Sequence, residues 1–515
     1  MKKVFKIIMI VLTLLVLVGV GIGVFLYLAT ADDLFGELFN DNCSSCHGDQ
    51  LQGIPSLGPA LINADLQHGD TVAELMHSIS TGNPLQGMPA GSETLDPAEI
   101  KALAIYIAER RADRIFTDFK VEFDLVLPRG TIESQRQSFT VELVTDQLHH
   151  LPYSIAPLPD GRILVTEKTQ GLRIISADGV LSDVIEGTPT VFDDEITVVG
   201  IAFGLGWLMD IKPHPDYANN GWIYLSFTDR CPECDNILPT SMTKLVRGRI
   251  TNNKWVDEET IWQADRSFYT STPDVAVGAR IAFDDQGYVY LSIGIKGASN
   301  YHGIQDLSTP YGKIHRVHDD GRIPTDNPFA NTAGAYPTIW TYGHRSPQGL
   351  EFNFRTGQLW STEMGPRGGD ELNLLLPGKN YGWPLYSQGL NYNGTPVEYG
   401  KQLDIEYKLE DIEQSIVDLT PAPAISSFIF YEGDLFPNWQ GQVIVGSLKA
   451  TELYRIVIEN DEFVSRETLL KRLARIRDVE EGADGNIYLL LEHADGGQVV
   501  RLVPAEAPDP ISMAD

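Results

Sequence analysis

Two cysteines separated by two residues, with a histidine directly after the second, form the most specific chemical motif in the sequence. These residues are Cys43, Cys46 and His47. The spacing is typical of a c-type haem attachment site, where each thiol adds to a vinyl group of the porphyrin and the histidine ligates the iron. Because the chain has only 4 cysteines and 11 histidines, chance explains the full pattern poorly. The motif therefore predicts covalently bound haem c and one-electron transfer.

The iron of such a haem needs a second axial ligand, and Met88 is the best candidate. It lies in a polar loop rich in glycine and proline, with no helical neighbours to pack against. A thioether in this setting is better explained as an iron ligand than as core, and it would keep the reduction potential high, as suits an electron acceptor. His68 and His77 are the alternative ligands.

The second cysteine pair, Cys231 and Cys234, has the same spacing but lacks a following histidine. In an oxidising compartment a local disulfide is the simplest interpretation. A redox-active pair, or half of a metal site, is the alternative. No further cysteine pair exists to complete a zinc site.

Helices on both sides of the haem motif would have to position it. The helix after the motif has a clear N-terminal signal. Asp96 is a suitable N-cap, Pro97 suits the first helical position and Glu99 completes a capping box. An apolar stripe at helical spacing follows at Ile100, Leu103, Ala104 and Ile107. We expect this helix to close the haem domain.

The segment around the motif resembles the class I cytochromes c. In that family the C-terminal helix packs across a first helix, which here would cover residues 33–39. A proline in the position of Pro59 commonly orients the proximal histidine through its carbonyl group, and His47 is the histidine in question. The resemblance implies a small all-α cytochrome c domain over residues 32–115.

The N-terminus predicts a membrane anchor or a signal peptide. Three lysines, Lys2, Lys3 and Lys6, precede an uncharged and mostly apolar run over residues 7–31. The run is longer than a cleavable signal core and is long enough to span a bilayer, although Ala29 to Ala31 also fits a signal-peptidase site. We favour an uncleaved anchor over residues 1–31 with its lysines in the cytoplasm, which places the rest of the chain on the periplasmic or extracytoplasmic side.

The composition limits the possible partners and the fold class of the rest of the chain. With 70 acidic against 39 basic residues, the formal net charge is −31, which excludes nucleic acid as a partner because phosphate would be repelled. The 47 glycines and 30 prolines, together with short alternating apolar runs, favour strands and turns over long helices.

A loose repeat supports an all-β domain over residues 144–505. In each repeat a turn containing Asp, Gly or Asn precedes an alternating apolar strand, and six copies occur, at 159–165, 219–225, 285–291, 356–360, 439–445 and 484–489. Six such units predict a six-bladed β-propeller with long loops on one face. Residues 116–143 read as a linker that could add a strand to the propeller, and residues 506–515 as a C-terminal tail.

The stretch from 340 to 384 carries a more specific resemblance. It contains the segments 342–350, 363–366, 369–373 and 380–384. These segments closely resemble the soluble glucose dehydrogenase and aldose (or sorbosone) dehydrogenase family, and a weaker resemblance extends over residues 147–502. That family is a six-bladed propeller that uses pyrroloquinoline quinone (PQQ) and calcium. The resemblance therefore implies the same fold and both cofactors.

PQQ carries three carboxylates, so an acidic protein needs fixed cations to hold it. Guanidinium groups bind carboxylates through two parallel hydrogen bonds, and lysine adds a point charge. By position in the family pattern, the residues that would supply these cations are Arg345, Lys449, Arg475 and Arg477.

The same pattern implies a calcium site beside the quinone. The backbone carbonyls of Gly365 and Pro366 match the family's calcium ligands. Calcium prefers such oxygen donors, and it would polarise the quinone carbonyl as a Lewis acid.

The catalytic positions depart from the family pattern. The family's general base is a histidine just before the strand 278–281, and Ala276 stands there; the aspartate that supports this histidine is replaced by Ile295. A glutamine of the second blade is also missing near Leu205. Because general-base assistance is typically worth 10²–10⁴ in rate, unaided sugar oxidation would be slow.

Another side chain could have taken over the role of the base. Four residues are close enough in sequence to the relevant loops to be candidates, namely Asp274, Asp210, His302 and Asp370. None of them is favoured over the others.

These observations predict a membrane-anchored quinohaemoprotein dehydrogenase. It would oxidise a sugar or related alcohol with PQQ and pass the electrons through haem c to a respiratory acceptor. The loss of the base motivates an alternative, a propeller that binds PQQ or another ligand without turnover beside an electron-transfer cytochrome. A third hypothesis, a calcium-dependent lactonase, would require side-chain carboxylates at the metal.

Overall fold

The computed structural model describes residues 34–112, 123–198, 201–234, 239–296 and 301–505. The first of these segments is a small helical domain. Its helices are α1 (34–42), α2 (Ser44–His47), α3 (Val72–Thr81) and α4 (Pro97–Arg111), with 3₁₀ helices at Pro84–Gln86 and Gly91–Glu93.

Helix α4 begins where the sequence predicts it. The carboxylate of Asp96 accepts hydrogen bonds from the backbone N–H groups of Ala98 at 2.8 Å and Glu99 at 2.9 Å, and Glu99 accepts from the N–H of Asp96 at 2.9 Å. The predicted capping box is therefore confirmed. Further along α4, the ring of Tyr106 lies 5.4 Å from that of Phe39 in α1, so the two helices pack against each other.

The remainder of the described chain is a ring of antiparallel sheets, which confirms the predicted propeller. Blade 1 consists of β2 (Pro152–Pro157), β3 (Ile163–Glu167) and β4 (Gly171–Ile175), and the hairpin β5 (Ile196–Val198) and β6 (Ile201–Phe203) follows it. Blade 2 contains β7 (Leu208–Pro213), β8 (Ile223–Arg230), β9 (Ser241–Thr251) and β10 (Lys254–Gln263). Blade 3 contains β11 (Gly278–Phe283), β12 (Tyr288–Ile293), β13 (Lys313–His318) and β14 (Ile339–Tyr342).

The second half of the ring follows the same order. Blade 4 contains β15 (Pro347–Asn353), β16 (Gln358–Glu363), β17 (Glu371–Leu374) and β18 (Val417–Asp418). Blade 5 contains β19 (Ile425–Phe430), β20 (Val443–Ser447), β21 (Leu453–Glu459) and β22 (Glu462–Leu470). Blade 6 contains β23 (Arg475–Glu481), β24 (Ile487–Glu492), β25 (Gly497–Pro504) and β1 (Phe139–Leu148). Short helices lie in the loops at Tyr217–Asn220 (α5), Tyr301–Gln305 (α6) and Gly400–Leu403 (α7), with 3₁₀ turns at Arg266–Phe268, Leu409–Asp411 and Pro437–Trp439.

The six sequence repeats coincide with one structural position. Each repeat supplies the second strand of a different blade, and these strands are β3, β8, β12, β16, β20 and β24. The glycine of each repeat has a φ between 67° and 83°, which a residue without a side chain adopts at little cost. The repeat therefore encodes the turn between the innermost and second strands of every blade.

The ring is closed by a strand from the N-terminal side of the propeller. In β1, Phe139 pairs with Pro504 and Leu148 pairs with Gly497, so the first and last strands of the propeller share one sheet. This strand begins inside the segment that the sequence predicts as a linker. Upstream of it, Leu125, Leu127 and Ile132 pack against the hydrophobic core shared by blades 5 and 6.

The predicted membrane anchor at residues 1–31 and the predicted tail at residues 506–515 both lie outside the described residues. Within the part of the chain that the structure does describe, no helix combines the length and the apolar character needed to cross a bilayer. The anchor remains a prediction.

Candidate functional site

The haem motif is folded as a short helix that begins directly after α1. The N–H of Cys43 donates to the carbonyl of Phe39 at 2.8 Å, which continues the chain from α1 into α2. His47 is buried, and its Nδ1 lies 2.8 Å from the carbonyl oxygen of Pro59, as predicted. Because a carbonyl only accepts, Nδ1 carries the proton and Nε2 keeps the lone pair that an iron atom requires.

Met88 lies in a closed loop of the same domain. Its carbonyl accepts from the N–H of Asn83 at 2.9 Å, and its own N–H donates to the carbonyl of Asn83 at 3.1 Å. The side chain is half-buried, whereas His68 and His77 are exposed. This difference in exposure favours Met88, although its role as a ligand remains a prediction.

The residues predicted to hold PQQ and calcium all lie at one face of the propeller. In each blade the innermost strand starts, and the antiparallel second strand ends, at the same face. We call this the upper face. Arg345 precedes the innermost strand β15, Arg475 and Arg477 begin β23, and Lys449 follows the second strand β20. The predicted calcium ligands, Gly365 and Pro366, follow β16.

Arg345 is bonded to the predicted calcium loop. Its Nη1 donates to the carbonyls of Met364 at 3.0 Å and Gly365 at 2.8 Å, and Nη2 lies 3.2 Å from the hydroxyl of Tyr392. The guanidinium lies 5.2 Å above the ring of Trp383. Its Nε is buried, with no hydrogen-bond partner among the described residues. A cation thus already contacts the carbonyl of Gly365, and one donor is left for a ligand.

The loop that carries Gly365 is held by Asp370. One carboxylate oxygen of Asp370 accepts from the N–H of Gly365 at 3.0 Å, and the other accepts from the N–H of Ile425 at 2.8 Å. Nearby, the N–H of Gly369 donates to the hydroxyl of Thr420 at 2.7 Å. Asp370 is buried and fixes the loop, so it is poorly suited to be the missing base.

Arg475 and Arg477 share one carboxylate. Arg475 donates to one oxygen of Glu492 at 2.7 Å, and Arg477 donates to the other at 2.8 and 2.6 Å. Burial alone would raise the pKa of Glu492, but the charges of Arg477, Arg475 and Lys168 outweigh it and hold the pKa well below its usual range. Glu492 therefore orients both guanidinium groups, and sequence reasoning did not identify it.

Lys168 is a further cation of the upper face that the sequence analysis missed. It follows β3, and its ammonium lies 5.2 Å from the ring of Trp207 and 5.7 Å from that of Tyr153. Burial, reinforced by the charge of Arg477, lowers its pKa to about 7. The repeat could have revealed it, because Lys168 occupies almost the same place after its strand as Lys449 does after β20.

The position of the family's base is surrounded by apolar groups. Ala276 has a φ of +56°, in the left-handed region, and its carbonyl accepts from the N–H of Lys296 at 3.3 Å. It packs in a cluster of hydrophobic and aromatic side chains, which includes Ile295, Trp383, Tyr301 and Tyr399. The structure therefore brings both substituted positions, Ala276 and Ile295, into one apolar cluster.

Two of the other candidate bases are engaged in buried networks. Asp274 accepts from Lys296 at 2.8 Å and from the N–H of Gly206 at 2.7 Å. Asp210 accepts from Arg280 at 3.0 Å, and it also accepts from a backbone N–H of β11 at 2.7 Å. Both have structural roles in the contacts between blades.

Three sequence predictions remain to be compared with the structure: the base candidate His302, the second cysteine pair and a lactonase-type metal site. The side chain of His302 lies outside the described residues. Cys231 and Cys234 form a disulfide in the loop after β8. Across the described ranges, no group of three or more His, Cys, Asp or Glu side chains is arranged to hold a metal ion, which includes the carboxylate set that a lactonase-type calcium site would require.

The helical domain contacts the propeller on the upper face. Glu109 in α4 lies 2.8 Å from Arg367 in the loop after Pro366, and 3.8 Å from the ammonium of Lys449. The haem domain therefore reaches two elements of the predicted cofactor site.

Fold and site together define a six-bladed propeller with a cationic upper face, joined to a helical domain that carries a haem motif. A family model described as "Glucose / Sorbosone dehydrogenase" matches residues 149–501, and one described as "Cytochrome C oxidase, cbb3-type, subunit III" matches residues 32–107. The chain belongs to the glucose/sorbosone dehydrogenase family, and a cytochrome c domain precedes its propeller.

Individual relatives agree with this assignment. Aldose sugar dehydrogenase YliI of Escherichia coli strain K12 is 34% identical over 360 residues, which cover 69% of this chain and 91% of the relative. Quinoprotein glucose dehydrogenase B of Acinetobacter calcoaceticus is 27% identical over 438 residues, or 72% of this chain and 88% of the relative. The crystal structure of the soluble aldose sugar dehydrogenase from Escherichia coli in its apo form has 32% identity and a TM-score of 0.61, and the match covers 71% of this chain and 100% of that one.

Proposed function

We propose that the protein is a quinohaemoprotein dehydrogenase that oxidises a sugar or related alcohol and transfers the electrons through its own haem c. The observation that carries this proposal is that two features lie on the same face of the propeller. The four predicted cofactor cations lie on the upper face, and the cytochrome domain contacts that face. A fused acceptor at this place has a high effective concentration for the reduced site.

The side chains of the upper face suit an anionic cofactor such as PQQ. Arg475 and Arg477 are held in fixed orientations by Glu492, and Arg345 has a buried donor without a partner among the described residues. Preorganised donors of this kind lose little freedom when they bind a carboxylate. Bound PQQ would supply a two-electron acceptor that the side chains themselves lack. The quinoprotein relative gives independent support for a quinone cofactor.

Calcium would take its ligands from the loop at Gly365 and Pro366. The loop is fixed by Asp370, and backbone carbonyls are oxygen donors of the kind that a hard cation prefers. The carbonyl of Gly365 accepts from the guanidinium of Arg345, so this hydrogen bond would have to open when calcium binds. The role of calcium would be to polarise the acceptor carbonyl.

Haem c would be attached to Cys43 and Cys46, with His47 and Met88 as axial ligands. The hydrogen bond from His47 to the carbonyl of Pro59 fixes the imidazole ring of the proximal ligand. Of the candidates for the sixth ligand, Met88 is half-buried, whereas the two histidines are exposed. Because the haem carries one electron at a time, each substrate oxidation would require two successive transfers. Residues 1–31 would anchor the chain, so that its haem faces a respiratory electron acceptor on the extracytoplasmic side.

A second candidate function is cofactor or ligand binding without turnover. The apolar surroundings of Ala276 and Ile295 favour it, because none of the side chains described around them is a general base, and Asp274, Asp210 and Asp370 are engaged elsewhere. This candidate predicts that PQQ binds but that no substrate reduces the haem.

One titration distinguishes the two candidates. The purified haem-loaded protein is supplied with PQQ and calcium, and a panel of aldoses and alcohols is added while the haem absorbance is recorded. Dehydrogenase function predicts substrate-dependent haem reduction that requires both PQQ and calcium, with samples lacking either one as controls. PQQ binding without haem reduction by any substrate would support the binding function instead. The absence of PQQ binding would contradict the dehydrogenase, and it would restrict the binding function to a ligand other than PQQ.

A further inference from the structure

Helix α4 of the cytochrome domain is buried on nearly all sides. The buried stretch is continuous from Ala102 to Glu109. A helix with one face in solvent would expose about half of such a stretch, so this burial means that α4 is covered by two layers. One layer is its own domain, through Phe39 and Tyr106.

The second layer is the upper face of blade 4. A side-chain carbon placed on Gly368 would lie 3.3 Å from Ile105 of α4, and one placed on Gly394 would lie 3.3 Å from Phe35 of α1. Leu390 belongs to the hydrophobic core of the cytochrome domain although it lies in a propeller loop. The two domains therefore share a continuous apolar contact.

A buried ion pair lies within this contact. Arg367 and Glu109 are 2.8 Å apart, with side chains 0% and 4% exposed, and the guanidinium also lies 3.5 Å above the ring of Phe35. Buried charges are tolerated only when they are paired, because removing one partner leaves the other desolvated without compensation. The pair thus requires the two domains to remain in register.

The two propeller residues that contact Glu109 lie in the proposed cofactor site or directly beside it. Arg367 directly follows Pro366, one of the proposed calcium ligands, and its backbone is paired with that of Leu390. Lys449, with a side chain 6% exposed, is one of the four proposed PQQ cations, and its ammonium lies 3.8 Å from a Glu109 oxygen. One carboxylate of the cytochrome domain therefore reaches both the metal loop and the cofactor lysine.

We propose that Glu109 is a positioning residue of the dehydrogenase site: it docks the cytochrome domain through Arg367 and competes with a carboxylate of the anionic cofactor for Lys449. This inference rests on the proposed function, since it takes Lys449 to be a ligand of PQQ. The docking half depends only on the ion pair. By linkage, whatever weakens the hold of Glu109 on Lys449 must strengthen cofactor binding, and cofactor binding must weaken that contact by the same factor.

The test compares three variants of the full haem-loaded chain. Glu109→Gln removes the charge of the side chain and keeps its shape. The double variant Glu109→Met with Arg367→Met replaces the ion pair by apolar groups of similar length. Glu93→Gln is the control, because Glu93 is an exposed carboxylate of the same domain. Two quantities are measured: the dissociation constant of PQQ in the presence of calcium, and hydrogen exchange of the amides in α4 and in residues 364–370.

The proposal makes a distinct prediction for each variant. Glu109→Gln should bind PQQ about fivefold more tightly, and α4 should exchange faster because the buried guanidinium of Arg367 loses the charge of Glu109. The double Met variant should show the tighter binding with exchange close to wild type, since an apolar pair restores docking. Glu93→Gln should change neither quantity.

Each contrary result has a defined meaning. Exchange in Glu109→Gln equal to that in Glu93→Gln would overturn the docking role, and unchanged PQQ affinity in both Glu109 variants would overturn the competition. If neither the wild type nor any variant binds PQQ, the proposed function fails and the competition fails with it. The docking contact would in that case still stand or fall on the exchange data.

Discussion

The two proposed redox sites of this protein are built in opposite ways. The haem site uses residues close in sequence, from Cys43 to Met88, and its key hydrogen bond joins His47 to Pro59. The upper face of the propeller combines side chains from Lys168 to Glu492, so it exists only when all blades stand in a ring. A local motif carries its own geometry, whereas a distributed site takes its geometry from the fold.

The largest expected effect is on the local site. Changing Cys43→Ser together with Cys46→Ser removes both thiols that would form thioethers, so covalently bound haem should be lost entirely. The measurement is haem staining after denaturing electrophoresis. PQQ binding should persist, because the propeller cations do not depend on the motif.

The matched control for this change is Cys231→Ser with Cys234→Ser, which removes the other cysteine pair. This variant should keep its covalent haem. Stained haem that survives denaturation in the Cys43 and Cys46 variant would contradict the attachment site.

The next largest effect tests the altered base position of the distributed site. Restoring the family pattern with Ala276→His and Ile295→Asp should raise the rate of sugar-driven haem reduction by about 10²–10⁴. Histidine is among the residues that tolerate the positive φ found at Ala276. Stopped-flow absorbance of the haem measures the rate.

The control for this restoration is Ala276→Asn with Ile295→Asp. Asparagine also accepts a positive φ but cannot remove a proton. Equal rates in the two variants would show that the base position no longer faces the substrate.

A smaller effect is expected from one cation of the distributed site. Arg477→Gln should weaken PQQ binding by about 10- to 100-fold, because hydrogen bonds to charged groups are worth about 1.5–3 kcal/mol. The haem spectrum should not change. Arg162→Gln is the control, because Arg162 is exposed and paired with Asp160 in the turn between β2 and β3, away from the upper face. The same loss of affinity in both variants would mean a general effect of charge rather than a contact.

The smallest effect concerns pH. Burial and the charges of Arg477 and Arg475 lower the pKa of Lys168 to about 7, while Glu492 and Glu195 act in the opposite direction. Below this pH the ammonium is charged and attracts an anionic cofactor. Above it the amine is neutral, so the dissociation constant of PQQ should rise between pH 6 and 8, by at most about tenfold per pH unit.

Lys168→Met isolates this pH effect, because it removes the titrating group and keeps an apolar chain of similar length. Its PQQ affinity should vary less with pH than that of the wild type. Calorimetry in two buffers of different ionisation enthalpy should also show proton uptake on PQQ binding to the wild type and less in the variant. The same pH slope in both proteins would assign the titration to another group.

The contrast between the two sites also explains what the sequence could predict. The haem motif, the cap of α4 at Asp96 and the repeat turns could be recognised because each depends on a few neighbouring residues. The roles of Glu492 and Glu109 could not, because their partners come from a different strand or a different domain. Arg475 and Arg477 were predicted as cofactor cations only through a family resemblance, since no local pattern separates them from surface arginines.

The lost base shows the limit of such a resemblance. The family pattern located Ala276 and Ile295 as substitutions, and the structure shows that they share an apolar cluster with Trp383. The family pattern did not indicate which residue could replace the missing base. Proximity in sequence to a loop says little about whether a carboxylate already has hydrogen-bond partners. Asp274 and Asp210 lie near the relevant loops, yet both are fully engaged with buried cations and backbone N–H groups.

The pairing of β1 with β25 has a consequence for the order of biosynthesis. The ring cannot close until Pro504 has been synthesised and can pair with Phe139, so the propeller is completed only after its last strand has emerged. Residues 34–112, in contrast, have emerged long before. The helical domain could therefore fold before the propeller is complete. The contacts of Glu109 with Arg367 and Lys449 would then form as one of the last steps of folding.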